Sequence, residues 1–271
     1  MGLKLQHVPT AAGTRWVRQG FAECLRQPMG YASLFALFML AITVVSVLPL
    51  IGGPLMLMAV PLLSLAYMMA ASGHQQGVAV NAAVYLAPWR GAEKKQRRDL
   101  LVLCALYAAA TMAMLALCNQ IDGGRFDDLL AALAGGQAKP EEIQALMDAP
   151  GVQAGAVARV LLTALLSLPF WHAPALVVWG RQGPAQALFS SALAVWRAKG
   201  AFLLYSLAWL GAMGGAGVFA AFLMALLGLG TLSFLVIMPM ALFFTTAFYA
   251  SLYFCFADSF VQDDAAVIPP P

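Results

Sequence analysis

Six long apolar stretches constrain the fold of this chain more than any other feature, because none of them contains Asp, Glu or Lys. They cover residues 31–51, 54–72, 100–117, 157–178, 200–226 and 231–257. A helix needs about 20 apolar residues to cross a bilayer core of roughly 30 Å. Only 10% of the residues are charged, against about 25% in soluble domains. We therefore predict an all-α fold, a polytopic membrane helix bundle in which residues 1–271 form one integral membrane domain with six transmembrane helices.

The distribution of Lys and Arg predicts the orientation of these helices. Twelve of the 15 basic residues precede the first stretch or lie in the loops that follow the second and fourth stretches. The other three are Arg125, Lys139 and Arg159, and the long loop that holds the first two also holds six acidic residues. Because cytoplasmic loops carry the excess of Lys and Arg, both termini are predicted to be cytoplasmic.

Basic residues beside the spans are also candidates for binding anionic lipid headgroups. The candidates are Lys94, Lys95, Arg97, Arg98, Arg197 and Lys199. Their role in setting the orientation is a sufficient alternative explanation. The predicted partners are membrane lipids and other membrane proteins. Nucleic acid is not among them, because the basic residues are spread over several loops and form no groove.

The chain also has the pattern of an internal repeat with three units. Residues 11–73, 77–180 and 183–257 each begin with a segment of amphipathic helical periodicity and continue with a pair of spans. The second spans contain Pro61, Pro169 with Pro174, and Pro239. We predict three hairpins, each preceded by an amphipathic helix that lies at the cytoplasmic interface. The alternative is that any protein built from hydrophobic hairpins shows such patterns.

Glycines predict how the hairpins turn and pack. Gly52 and Gly53 join the first two stretches, and Gly228 lies in the short connection between the last two, so tight turns are expected there. Gly211 and Gly215 form a small face that predicts close packing against another helix of the same chain. Residues 258–271 are predicted to be a disordered cytoplasmic tail.

Residues 118–156 form a long insertion on the predicted outer side of the middle unit. A connection of this length usually has structure of its own. Residues 126–133 and 140–147 both carry acidic residues in a first turn and are predicted to be short helices. Their carboxylates do not follow the spacing of a calcium-binding loop, so a solvated acidic face is the favoured interpretation.

His172 is the candidate site within the membrane, because it is an ionisable side chain well inside the fourth stretch. Pro169 and Pro174 flank it and Trp171 precedes it. Prolines remove backbone donors and can break a helix, and broken helices form substrate sites in transporters. The alternative is a neutral structural histidine bonded to a backbone carbonyl or to a Ser or Thr hydroxyl. The absence of acidic residues from the spans favours this alternative.

Motifs of known catalytic or metal chemistry are absent from the sequence. It contains no P-loop, no HExxH, no GxSxG and no carboxylate pair within the apolar stretches. We therefore predict no catalytic residues, no cofactor and no metal site, and a protein that is not an enzyme.

Short motifs in the first quarter of the chain carry a resemblance to a known family. They comprise Gly13, Trp16, Val17, Gly20, Phe21, Gln27, Pro28, Leu48, Pro49, Ile51, Gly52, Pro61 and Ser64. With them the chain resembles a family of uncharacterised multi-pass inner-membrane proteins of Gram-negative bacteria, which implies a location in the bacterial inner membrane. The hairpin plan is also similar to the membrane domain attached to some glycerophosphodiester phosphodiesterases. That second similarity concerns architecture alone and implies no phosphodiesterase activity.

Two functions remain open from the sequence. The first is a non-catalytic envelope protein that binds lipid or partner helices, which the nearly uncharged spans and the basic inner surface favour. The second is a transporter of small molecules or lipids that uses the kinked fourth span around His172. A polar, water-accessible cavity that reaches His172 would favour transport, whereas hydrophobic grooves open to lipid would favour binding.

Overall fold

The computed structural model describes residues 3–135, 139–228 and 234–262, which contain eleven α-helices and two short strands. In chain order the elements are β1 (Leu3–Leu5), α1 (Ala12–Arg26), α2 (Pro28–Ser46), α3 (Gly52–Gln75), α4 (Lys94–Asp122), α5 (Arg125–Gly135), α6 (Pro140–Met147), α7 (Val152–Phe170), α8 (Ala173–Val178), α9 (Pro184–Arg197), α10 (Lys199–Leu226), α11 (Phe234–Ser259) and β2 (Phe260–Gln262). Within these ranges six helical stretches are long and apolar enough to cross a membrane: α2, α3, α4, α7 with α8, α10 and α11. The predicted all-α polytopic bundle is therefore confirmed.

The first and last strands bring both ends of the described chain to one end of the bundle. β1 pairs antiparallel with β2, with Lys4 opposite Val261. Beside this ribbon the Asp258 carboxylate accepts hydrogen bonds from the Arg15 guanidinium at 2.5 Å and from the Trp16 indole at 2.6 Å. The two ends of the described chain, at Leu3 and Gln262, therefore lie on the same side of the bundle.

The predicted disordered tail begins too early in the sequence. α11 continues to Ser259 and β2 follows directly, so the first part of the predicted tail belongs to regular secondary structure. Backbone pairing with β1 supplies the hydrogen bonds that a free tail would make with water. The rest of the predicted tail, 263–271, lies outside the described residues.

The first amphipathic helix, α1, is a wedge between α10 and α11. Its apolar face buries Trp16 completely, while Arg18 on the opposite face is exposed. Gly20 allows the close approach to α11, because a Cβ atom there would lie 2.6 Å from the carbonyl oxygen of Ala247. The apolar face therefore contacts protein, whereas the sequence predicted that it lies at the lipid interface.

The segment before the second hairpin corrects the sequence prediction. Ala82–Tyr85 and Ala87–Trp89 form two short 3₁₀ helices, not one amphipathic α-helix. Pro88 lacks the backbone donor that a continuous α-helix would need at that position. An introductory α-helix is thus present before the first and third hairpins, and the three-unit repeat stays a prediction.

The segment before the third hairpin, α9, has the predicted amphipathic character. Phe189 and Trp196 are exposed on its outward face, whereas Ser191 and Ala194 are buried toward α7 and α8. The ammonium of Lys199 lies 5.4 Å from the ring centroid of Trp196, a distance typical of a cation–π contact. Such a face, with an aromatic residue beside a cation, suits the headgroup region of a membrane.

The first hairpin turns earlier than its glycines predict. α3 already begins at Gly52, so the turn is formed by residues 47–51, with Leu50 in the left-handed region at φ 65°. In the last hairpin Gly228 does adopt a positive φ, also 65°, where the sequence predicts a turn. The next residues, 229–233, lie outside the described part of the chain.

The long insertion between α4 and α7 contains two short helices, α5 and α6, where the sequence predicts them. Asp127 and Asp128 occupy the first turn of α5, where a carboxylate interacts favourably with the helix dipole. Gly123 and Gly124 have positive φ values and turn the chain between α4 and α5.

The small face of α10 packs differently from the prediction. At Gly211, Gly214 and Gly215 no described atom outside the local backbone of α10 lies within 4 Å of the place where a Cβ would be. The predicted close packing of this face within the chain is therefore wrong, because α10 meets the bundle through its opposite side, where α1 lies.

Candidate functional site

The fourth span is broken at the predicted place. α7 ends at Phe170 and α8 begins at Ala173, so Trp171 and His172 lie between two helical segments. Pro169 and Pro174 explain the break, because proline has no N–H to donate to the carbonyl four residues earlier.

A serine from α9 bridges the broken backbone. The backbone N–H of His172 donates to Ser191 Oγ at 2.9 Å, and that hydroxyl donates to the carbonyl oxygen of Leu168 at 3.0 Å. In a continuous helix the His172 N–H would donate directly to the Leu168 carbonyl. Ser191 is thus inserted into the helical hydrogen-bond ladder and satisfies both groups.

The His172 side chain is sealed in an aromatic enclosure. It is completely buried, and its ring centroid lies 5.9 Å from that of Phe202, 5.8 Å from Phe256 and 5.5 Å from Phe260. Neither ring nitrogen has a hydrogen-bond partner among the described residues. The expected bond from the ring to a carbonyl or hydroxyl is therefore absent there, because Ser191 bonds the backbone of His172 and not its ring.

Replacing His172 with methionine is expected to leave the protein equally stable or more stable. Methionine has similar volume and adapts to irregular spaces, and the change removes two buried polar atoms that have no partner. The matched change at the same break, Ser191→Ala, is expected to cost about 1–3 kcal/mol, because it leaves a buried N–H and a buried carbonyl unbonded. Thermal unfolding in detergent measures both variants. A loss for His172→Met as large as that for Ser191→Ala would contradict this structural assignment.

A groove opens beside the break, between α3, α4, α7 and α11. Its volume is about 360 Å³. The lining is mainly apolar and comprises Val60, Pro61, Ser64, Tyr107, Thr111, Met114, Leu115, Thr163, Leu166, Ser167, Phe170, Trp171, Phe248 and Leu252. Trp171 forms part of its wall, whereas His172 does not line it.

Two serine hydroxyls in the groove are already engaged, whereas the buried Thr111 Oγ1 has no hydrogen-bond partner among the described residues. Ser64 Oγ donates to the carbonyl of Pro61 at 2.9 Å, and Ser167 Oγ donates to the carbonyl of Ala164 at 2.7 Å. Each of these bonds is made within the residue's own helix. The wall therefore presents mostly carbon to an occupant and has little to offer an ion or a strongly polar solute.

The structure places the six candidate lipid-binding residues in two locations. Lys94, Lys95, Arg97 and Arg98 occupy the first turns of α4 and are exposed. Arg197 ends α9 and Lys199 begins α10. Two hydrogen bonds hold the basic segments together at one end of the bundle. The Gln96 amide at the start of α4 donates to the carbonyl of Val178 at the end of α8, at 2.8 Å. The side-chain oxygen of Gln27, after α1, accepts from the Val80 N–H at 2.8 Å.

Sequence reasoning missed two buried polar clusters. Glu23 on α1 is 1% exposed and accepts hydrogen bonds from Tyr31 and from Gln75. At the opposite end Arg159 on α7 pairs with Asp122, the last residue of α4. The burial of Glu23 could have been predicted from the sequence. Trp16, Gly20 and Glu23 are spaced so that they share one helix face, and that face is the buried one.

Metal-binding groups are not assembled in the described ranges. There, His, Cys, Asp and Glu residues form no group of three or more that could hold a metal ion. The candidate sites in the described part of the chain are therefore the groove, the buried His172 and the charged end of α4.

Comparison with known proteins identifies the class of protein. The chain is 30% identical over 265 residues to a probable inner membrane protein of Burkholderia thailandensis, a match that covers 97% of both chains. No protein-family model matches the sequence, and no solved structure matches it. Together with the six apolar helices, the relative establishes an integral, multi-pass protein of the inner membrane. The chain belongs to the family of inner membrane proteins that includes this Burkholderia protein.

Proposed function

We propose that this protein binds membrane lipid, without a catalytic step, in the groove between α3, α4, α7 and α11. The observation that carries the proposal is a mainly apolar cleft of about 360 Å³ near the middle of the spans. Pockets that enclose small ligands usually have about 300–1,000 Å³. Leu115 and Thr163, which line the groove, are exposed on the side of the bundle, so lipid has access to it.

An acyl chain suits this groove better than a polar solute. The carbon-rich wall offers dispersion contacts along a chain of methylene groups. Lipid tails are as apolar as leucine, so transfer from bilayer to groove brings little hydrophobic gain. The affinity of the groove for a lipid must therefore come from the fit between the acyl chain and the groove and from contacts with the headgroup.

The charge distribution supports an orientation for the protein in the membrane. The end of the bundle that holds both termini also holds the basic segments, and the excess of Lys and Arg favours the cytoplasm. In this proposal both termini are cytoplasmic, α5 and α6 are extracytoplasmic, and the groove serves lipid whose headgroup lies in either leaflet.

Transport through His172 receives less support. A transport site needs alternating access from water to the coupling or substrate group. The His172 side chain is completely buried behind phenylalanine rings, and the groove stops at Trp171. Lipid binding explains the groove without requiring an opening of that enclosure.

A groove-filling variant tests the proposal. Ser167→Phe places an aromatic ring in the groove, whereas Ala164→Phe places the same ring on an exposed position of the same helix. Both variants are reconstituted with a phospholipid that carries a diazirine in the middle of one acyl chain, irradiated and digested. Crosslinks to groove peptides of α4 are expected to fall at least about fivefold in Ser167→Phe, as expected when one occupant is excluded, and to persist in Ala164→Phe.

Two results would contradict lipid binding in the groove. One is an even spread of crosslinks over all exposed helix faces of the parent protein, because groove positions would then be no different from ordinary lipid contacts. The other is equal loss of groove crosslinks in both phenylalanine variants. Saturable uptake of a solute that His172→Met abolishes, without a change in stability, would instead favour the transporter.

A further inference from the structure

A second, polar pocket lies at the charged end of α4. It encloses about 200 Å³ and is lined by Glu93, Lys95, Gln96, Asp99, Val177, Arg181 and Gln182. This volume corresponds to about seven water molecules at liquid density. The pocket is therefore large enough for a small polar headgroup and too small for an oligosaccharide.

Its depth matches the headgroup layer of the membrane. The lining residues of α4 end at Asp99, and the continuous apolar stretch of that helix starts at the next residue, Leu100. Leu101 and Val102, one turn further, are 47% and 41% exposed, as expected for side chains that face lipid. The pocket thus lies where the helix passes from charged to apolar surroundings.

The interior of the pocket is rich in acceptors. Asp99 is only 6% exposed, and its carboxylate lies 3.3 Å from the guanidinium of the exposed neighbouring residue Arg98. The buried Oε1 atom of Gln182 has no hydrogen-bond partner within the described residues. Two acceptors that line the pocket, one of them charged, favour a ligand with a cationic group that has several N–H donors.

The rim of the pocket is rich in groups that bind phosphate. Lys95 and Arg181 are exposed there, and the Arg181 guanidinium lies 3.4 Å from the Glu93 carboxylate. The first helical hydrogen bond of α4 is donated by the Arg97 N–H, and the preceding amides of Lys95 and Gln96 have no acceptor among the described residues, as is usual in a first helical turn. Free amides at a helix N-terminus beside a lysine form an anion site.

We propose that this pocket binds the headgroup of phosphatidylethanolamine, with its ammonium at Asp99 and Gln182 and its phosphate at Lys95 and the first turn of α4. The pocket contains two acidic and two basic side chains, which matches a neutral zwitterion better than an anion. The inference rests on the proposed function only in that the occupant is a membrane lipid. Neither the groove nor His172 contributes to this site.

Native mass spectrometry of the whole protein with defined lipids tests this site. The parent protein is expected to retain phosphatidylethanolamine over phosphatidylcholine, which has no N–H donor, and over phosphatidylglycerol, which has no cation. Asp99→Asn is expected to reduce this preference at least about tenfold, the effect of losing one charge-assisted bond. Lys95→Gln is expected to weaken all three lipids alike, because all three carry the phosphate.

Controls separate this site from folding defects and from the groove. Asp128→Asn removes an exposed acid elsewhere and is expected to keep the preference. Ser167→Phe is expected to keep it as well, so failure of the groove proposal and failure of this one give different results. Equal retention of the three lipids by the parent, or an unchanged preference in a folded Asp99→Asn protein, would overturn the proposal. Binding of soluble phosphoethanolamine without binding of the lipid would also overturn it.

Discussion

Arg159→Met is expected to lower the free energy of unfolding by about 3–5 kcal/mol, the usual cost of leaving one buried charge without its partner. Arg159 Nη1 donates to the buried carboxylate of Asp122, and its Nη2 donates to Asn119 Oδ1 at 2.5 Å. These bonds join α7 to the end of α4. After the guanidinium is removed, the Gly124 N–H still donates to the Asp122 carboxylate at 2.9 Å but cannot neutralise its charge inside the protein.

The same substitution should also release the two short helices α5 and α6. The Arg159 guanidinium lies 4.4 Å from the ring centroid of Phe126 and 3.5 Å from the Asp127 carboxylate, and both residues belong to α5. Gly155, one turn before Arg159, leaves the room that the Asp122 carboxylate occupies. Limited proteolysis between α4 and α7 is therefore expected to accelerate in Arg159→Met.

Two further variants decide whether the buried charge is the cause. Combining Arg159→Met with Asp122→Leu removes both charges and is expected to recover much of the lost stability, since a buried pair can often be replaced by apolar residues. Arg125→Met removes an exposed arginine of α5 and is expected to cost less than about 1 kcal/mol. A double variant as unstable as Arg159→Met would refute this account.

The number of spans could be predicted from the sequence because hydrophobicity is a local property of each stretch. Helix ends were harder to place, because helices continue beyond the apolar core of the membrane. α4 extends past its apolar stretch on both sides and so includes Asp99 and Asp122. Ending that span at residue 117 assigned Asp122 to a loop and hid the partner of Arg159.

Periodicity identified the apolar face of α1 but not what covers it. An amphipathic pattern is the same whether the apolar side meets lipid or protein. The structure places α1 between α10 and α11, and both of these helices are more than 170 positions away from α1 along the chain. Gly13 and Gly20, small residues on the buried face, hinted at close helix contacts.

The candidate site divides in the same way between local and distant causes. The break around His172 follows from two prolines and was predictable. The groups that surround the break come from three later helices. Ser191 bridges the broken backbone, and the rings of Phe202 and Phe256 enclose the His172 side chain. The polar pocket combines the start of α4 with the residues after α8, a pairing that no sequence spacing reveals.

Glu23→Ala is expected to loosen α1 from the bundle. The Glu23 carboxylate accepts from the Tyr31 hydroxyl at 2.8 Å and from the Gln75 amide at 2.8 Å, and it also contacts His74 Nδ1. These contacts tie α1 to the start of α2 and the end of α3. Removing the carboxylate leaves the completely buried Tyr31 hydroxyl without its acceptor, at a cost of about 2–3 kcal/mol.

The neighbouring residue, Cys24, reports directly on this loosening. Its thiol is buried against Thr246 of α11, with a 3.3 Å contact, and burial raises the pKa of the thiol above its usual value. Both effects slow its reaction with maleimide, because the thiolate is the reactive form and the reagent needs access. When α1 detaches, the pKa of Cys24 falls toward the ordinary value and access increases, so labelling becomes faster.

Labelling followed by peptide mass spectrometry gives a quantitative test. A loss of about 2–3 kcal/mol raises the open population, and hence the rate at Cys24, by about 30-fold or more. Cys104, Cys118 and Cys255 are buried in other helices and serve as internal references whose rates should stay unchanged. Arg18→Ala changes an exposed residue of the same helix and should leave Cys24 slow. If all four cysteines accelerate together, Glu23 stabilises the whole bundle; if Cys24 alone responds, the carboxylate holds α1 in place as a separately opening element.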